Sequence, residues 1–199
     1  MPEHQTGTRE HILNVALHLF ATRGYWSTSM DEIAKEVGVS KPAIYHYFTG
    51  KEALLLALIR LLEQKHYQWF EELRENKKSL PLLLETTIYQ RLLTFQQNPD
   101  WILMMIRLHT HGLLGDLSEF DEIKEIDRSI HRAEERLIAD SLAGFRFRPG
   151  LNTQTFVEFY HDVVFSFVGR CVMYNWEINQ ELESKRLSDL IMFGTCEKA

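Results

Sequence analysis

Apolar residues recur every three or four positions along almost the whole chain, and no stretch alternates strictly between apolar and polar for long enough to make a strand. That pattern restricts the chain to an all-α fold, because a spacing near 3.6 lines one side of a helix whereas a strand needs a spacing of two. Ile12, Val15, Ala16, Leu19 and Phe20 form the first such stripe, and Gly24 follows it, a residue suited to a helix C-terminus. Thr28, with Asp31 three residues on, reads as a capping box with the shorter acid, opening a brief helix through Ile33, Ala34 and Val37 that ends at Gly38. Ser40 then caps a third helix through Tyr47, in which Pro42 falls early enough that its missing N–H breaks no helical bond. Thr49-Gly50-Lys51-Glu52 is a second capping box, opening a long amphipathic helix with Leu55, Leu58, Leu62, Trp69 and Leu73 that runs to about Asn76.

The rest reads the same way. After a break at residues 76–81, helices are expected over 82–97, from Asn98-Pro99-Asp100 to about His111, and over 116–142, 153–176 and 184–193, nine in all. Gly112 and Gly115 loosen the chain before the seventh helix, and residues 144–150, with Arg146, Arg148 and Pro149, read as a loop. The seventh helix keeps a narrow apolar stripe of Leu117, Phe120, Ile123, Ile126, Ile130 and Leu137, and its dense charges read as a solvated face. Without repeats or a long linker, the natural division is a module of residues 1–51 followed by a helical body over 52–199.

Composition narrows the function classes. Hydrophobic residues make up 45% and charged residues 25%, ordinary values for a chain that folds. The longest apolar runs, 54–59 and 101–106, fall far short of the roughly 18 to 20 residues needed to span a bilayer. Met1-Pro2-Glu3-His4-Gln5 places no basic segment before an apolar one, as a secretion signal would, so a cytoplasmic protein without a membrane partner is expected. Cys171 and Cys196 show no paired-ligand or redox spacing. The net charge of -6 argues at first against a phosphate-bearing partner. Yet in residues 1–51 Arg9, Arg23, Lys35, Lys41 and Lys51 cancel Glu3, Glu10, Asp31, Glu32 and Glu36, so the excess negative charge lies entirely in the body.

A helix, a tight turn at a glycine and a second short helix with a polar start is the geometry that lets a helix enter the DNA major groove. Residues 9 to about 55 resemble the DNA-binding region of the TetR repressor family, most specifically through Ile33-Ala34, Gly38-Val39-Ser40, Ile44-Tyr45, Tyr47-Phe48 and Lys51-Glu52. Ile33, Ala34, Val37, Val39, Ile44 and Phe48 are expected to pack the two short helices on the first. Ser40 would cap while neighbouring N–H groups face a phosphate, Lys41 would meet a phosphate or guanine acceptors beside Pro42, and Ala43 would admit close approach or touch a thymine methyl. Tyr45, His46 and Tyr47 offer donors to phosphate oxygens, and Lys51 sits in the first turn of the fourth helix, where backbone N–H groups also favour an anion. One of the two tyrosine rings could equally pack the module. Thr28 and Ser29 stand at the start of the second helix, where the family often contacts DNA; Met30 is an unusual occupant of such a position, and Thr28 could equally be a pure cap.

The resemblance implies a transcriptional regulator rather than an enzyme: a homodimeric repressor on double-stranded DNA with a palindromic operator, released by a small apolar effector, with no cofactor. Phe156, Phe159, Tyr160, Val163, Val164, Phe167, Val168, Cys171 and Val172 cover more than one helical face, which places the dimer contact on the two C-terminal helices. Effector-lining candidates are Phe95, Trp101, Met104, Met105 and Leu108, with Phe156 and Tyr160, although such stripes also serve as plain core. Because the fourth helix leaves the module and enters the body, a ligand that shifts it would alter the spacing of two recognition helices. Two other readings stay open. One is an architectural DNA-binding protein that answers to no ligand. The other is a helical metal-binding carboxylate enzyme, suggested by Glu63 with His66 and Glu158 with His161, a spacing that di-iron bundles use along with two further glutamates that the sequence does not identify. His109 and His111 point to different helix faces and do not readily share a metal.

Overall fold

A computed structural model describes residues 3–112 and 120–198. Gly115, Asp116 and Leu117, where the sequence suggested a loosened chain and the start of the seventh helix, lie outside the described residues, as do the side chains of His109 and His111. Among the described residues the order is α1 (Glu3–Thr22), α2 (Met30–Val37), α3 (Lys41–Tyr47), α4 (Lys51–Glu75), α5 (Leu80–Gln97), α6 (Pro99–Gly112), α7 (Asp121–Asp140), β1 (Phe145–Phe147), α8 (Thr153–Met173), α9 (Gln180–Thr195) and β2 (Cys196–Lys198). They form two compact units, the first of Met1–Glu63 and Asp100–Ile126, the second of Gln64–Pro99 and Asp127–Ala199. The expected boundary at residue 51 is the first residue of α4 and falls inside unit one.

In unit one the α1 stripe is buried as its spacing requires: Ile12, Ala16, Leu19 and Phe20 meet Ile33 and Ala34 of α2 and Ile44 and Phe48 of the α3 end in one core. Burying each large side chain stabilises by roughly 1.5–3 kcal/mol, enough to fix α2 and α3, which are too short to stand alone. Val37 and Val39 are only half-buried and edge this core. Gly24 and Gly38 end α1 and α2 at φ 93° and 79°, a left-handed conformation that a Cβ would strain. The cap of α2 is shifted one residue from the sequence reading. Ser29 accepts from the Glu32 N–H and Glu32 accepts from the Ser29 N–H at 2.8 Å, whereas Thr28 turns inward and donates to the Gly24 carbonyl at 2.8 Å. At α4, Gly50 rather than Thr49 precedes the helix, its carbonyl taking the first helical bond from Leu54.

In unit two α9 packs along α5, burying Leu187 and Ile191 with Leu80, Leu84 and Ile88, and Ser188 donates to the Pro81 carbonyl at 3.1 Å. Helix α5 starts at Leu80, not 82, because Pro81 falls in its first turn, where no N–H is needed. Helix α8 ends at Met173, short of 176, and α9 begins at Gln180, where Asn179 accepts from the Leu182 N–H, earlier than 184. The expected loop over 144–150 contains β1, which pairs antiparallel with β2, Arg146 opposite Glu197 with their side chains 2.8 Å apart. No helix of the described residues is long and apolar enough to cross a membrane.

Candidate nucleic-acid interface

Helix α3 is held from beneath and bare above. Ile44 is fully buried, whereas Ser40, Lys41, Pro42, Tyr45 and His46 are exposed and Ala43 and Tyr47 half-buried. Ser40 Oγ accepts from the Ala43 N–H at 3.3 Å, which fixes the first turn. Lys41 Nζ lies 2.9 Å from the Asp31 carboxylate of α2, a hydrogen-bonded pairing that raises the lysine pKa. An open depression of about 470 Å³ beside it brings together Ser29, Lys41, Tyr45 and Lys51 with Trp26 and Asp31. Trp26, 41% exposed, escaped the sequence reading because it belongs to no helical stripe.

Thr28, Met30 and Lys51 make contacts within the protein. Thr28 is 2% exposed, so its hydroxyl shapes the turn into α2. Met30 is buried and belongs to the core. Lys51 Nζ donates to the Tyr25 carbonyl at 2.8 Å and sits 4.4 Å from the Tyr25 ring, and partial burial lowers its pKa. Its ammonium ties α4 to the turn before α2.

The effector candidates divide between the two units. Trp101, Met104, Met105 and Leu108 belong to unit one, and Phe95, Phe156 and Tyr160 to unit two. Met104, Phe156 and Tyr160 are fully buried, as packed core is, while Phe95, Trp101, Met105 and Leu108 are half-buried. Nor do the two Glu-x-x-His units build a metal centre. Glu158 is exposed and accepts from Gln154, and His161 turns to Glu134 instead. Among the described residues no three His, Cys, Asp or Glu side chains stand where they could share an ion.

What the sequence missed is a buried polar centre in unit two. Arg91 of α5 donates to Glu134 Oε1 of α7 at 2.9 Å, and the other oxygen of Glu134 meets His161 Nε2 of α8. The Arg91 guanidinium lies 4.9 Å from the Tyr160 ring, and the Tyr160 hydroxyl donates to Thr87 Oγ1 at 2.7 Å. Burial alone would raise the Glu134 pKa, but Arg91 and His161 outweigh it and hold the carboxyl at about 2. Burial pushes Tyr160 up to about 12 and His161 below its ordinary value. The signal was hidden because Glu134 sits in the charge-dense seventh helix, whose polar side reads as solvated; at 1% exposure it is not.

A recognition helix presented on a buried three-helix core defines a helix-turn-helix protein of the DNA-binding regulatory class. Residues 12–58 match the sequence profile of the bacterial regulatory proteins of the tetR family. The uncharacterized HTH-type transcriptional regulator YuxN of Bacillus subtilis is 32% identical over 134 residues, covering 66% of this chain and 43% of the relative. The chain thus spans less than half of that relative's length. Two solved structures share the fold at 19% identity: the fatty acid degradation regulator FadR of Bacillus halodurans, with a TM-score of 0.76 over 94% of this chain and 95% of that one, and FadR of Bacillus subtilis in complex with stearoyl-CoA, with 0.70 over 93% and 98%. Residues 12–58 are thus a DNA-binding region of the tetR family, and the relatives that share it are HTH-type transcriptional regulators.

Proposed function

We propose that this chain works in the cytoplasm as a homodimeric repressor that binds a palindromic operator in double-stranded DNA and is released by a small effector. The observation that carries the reading is α3, whose Lys41, Pro42, Tyr45 and His46 stand free of a core that Ile44 anchors. Lys41 takes a phosphate or a guanine edge, Ala43 meets a thymine methyl, Tyr45, His46 and Tyr47 hold phosphates, and Ser29 and Ser40 flank the contact. Thr28 and Lys51 act through the turn they fix.

Dimerisation falls to the outer sides of α8 and α9, where Phe159, Leu182, Leu190 and Phe193 are 46%, 61%, 59% and 81% exposed. So many large apolar side chains on two neighbouring helices are unusual for a monomer. Effector binding belongs to the helical body, and a protein of the same fold that holds stearoyl-CoA supports such a body. Because α4 has residues in both units, it is the element through which an effector acts, and DNA must then weaken effector binding by the same factor.

Selection of bound sequences from random DNA tests the reading. A palindrome with half-sites about 34–36 Å apart, one helical turn, is the expected result. Enrichment of a single unrepeated half-site, or no enrichment, contradicts it.

A further inference from the structure

The polar centre of unit two takes no part in reading DNA, and two features mark it as more than an internal ion pair. Arg91 Nε is buried and has no hydrogen-bond partner, although its side chain is only 9% exposed. Buried donors are rarely left so unless a water, an ion or a ligand meets them. The second feature is access. The tilted rings of His131 and His161, with centroids 4.4 Å apart, remain 27% and 22% exposed, so solvent reaches the cluster from its imidazole side.

Charge decides what can fill such a place. Arg91 and Glu134 cancel each other. Ionised Glu134 only accepts, so the His161 Nε2 facing it carries a proton and donates, which a neutral imidazole does with its single N–H. The centre is therefore neutral as a whole. A ligand carboxylate would stand beside that of Glu134 with no cation to spare, and a ligand cation would find Glu134 already taken. A neutral oxygen meets neither obstacle, and the buried Nε–H of Arg91 is a donor without a claimant. We propose that the effector is an uncharged, largely apolar molecule bearing one accepting oxygen, as in a ketone, ester or alcohol, and that Arg91 Nε is the group that recognises that oxygen. The inference rests on the reading that unit two takes an effector, and it assigns that effector a chemical class.

Acetophenone, ethylbenzene and benzoate have similar size and differ in the group they offer. In the full-length protein labelled with nitrogen-15, the Nε–Hε resonance of Arg91, recognised by its loss in Arg91→Lys, is followed during titration with each. Acetophenone should shift it with an apparent Kd about tenfold lower than that of ethylbenzene, the equivalent of one net hydrogen bond, and benzoate should bind more weakly still. Glu134→Gln keeps the shape and the bond accepted from Arg91, turns its amide N–H toward His161 in the other tautomer, and leaves the Arg91 charge uncancelled, so there the preference should reverse toward benzoate. Equal response to acetophenone and ethylbenzene, a wild-type preference for benzoate, or a resonance that none of the three moves, as a trapped water would give, overturns the proposal. The spectra involve no DNA, so this outcome is separate from operator selection, whose failure would count against the regulatory reading alone.

Discussion

Both units bury an apolar core, but they place their charges differently. Unit one sets Lys41, Tyr45 and His46 in water, whereas unit two buries Arg91 and Glu134 and leaves Leu182, Leu190 and Phe193 outside. Each contains a cation–carboxylate pair at 2.9 Å, yet the pairs do opposite work. Lys41 and Asp31 are 61% and 62% exposed, so water screens the pair and a phosphate can take the lysine at little expense. Arg91 and Glu134 have given up nearly all their water and cannot be separated without leaving a bare charge inside. Burial, not the identity of the ions, decides whether a pair is a latch or a fixture.

The strongest way to break this contrast is Glu134→Leu, which strands the Arg91 charge and should destabilise the fold by about 3–5 kcal/mol in urea unfolding. Adding Arg91→Leu to it should recover most of that loss, because two apolar side chains replace the pair without an orphan. Acid should act on the same centre. The Glu134 carboxyl drops from an ordinary 4.5 to about 2 on folding, so it contributes stability above about pH 4.5 that is lost as pH falls toward 2, roughly 3 kcal/mol in all. His161 is also lowered on folding, so it begins to cost stability as pH falls below its ordinary 6.5, in the same direction. Arg91, Tyr160, His66 and His131 also face this centre, so the midpoint of unfolding measured from pH 7 to pH 3 should decline in Glu134-containing protein more steeply than in the double leucine variant.

The outer side of unit two sharpens the contrast from the other direction. Phe193→Glu should weaken self-association by about tenfold or more, seen in sedimentation velocity, with helix content unchanged, since a central aromatic anchor commonly carries that much of an interface. The smallest effect belongs to unit one: Ser29→Ala removes the α2 cap and should lower stability by about 1 kcal/mol in thermal unfolding.

Unit one was legible in the sequence because its contacts are local. The α1 stripe, Gly24, Gly38 and the Ser40 cap each state their conformation within a few residues, and all stand as read. The α2 cap misled because Thr28-Asp31 and Ser29-Glu32 both satisfy the same spacing; the longer glutamate reaches back to its partner's N–H, and Thr28 finds the Gly24 carbonyl. Unit two was less legible because its decisive partners are distant. Arg91 and Glu134 are separated by 43 residues, and Arg146 and Glu197 by 51, so neither the buried pair nor the three-residue strands leave a local trace. Lys51 was singled out by type and position, but its tie to Tyr25, 26 residues earlier, depends on a turn that periodicity does not describe.

The central claim is that the exposed side of α3 reads DNA with Lys41 as a phosphate-facing cation. The direct test is the salt dependence of affinity for the selected operator, measured for the wild type and for Lys41→Ala. The variant should bind more weakly, melt at the same temperature and show a slope of log affinity against log salt shallower by about 0.9 per lost phosphate contact in each half-site. An unchanged slope with unchanged affinity would contradict the account.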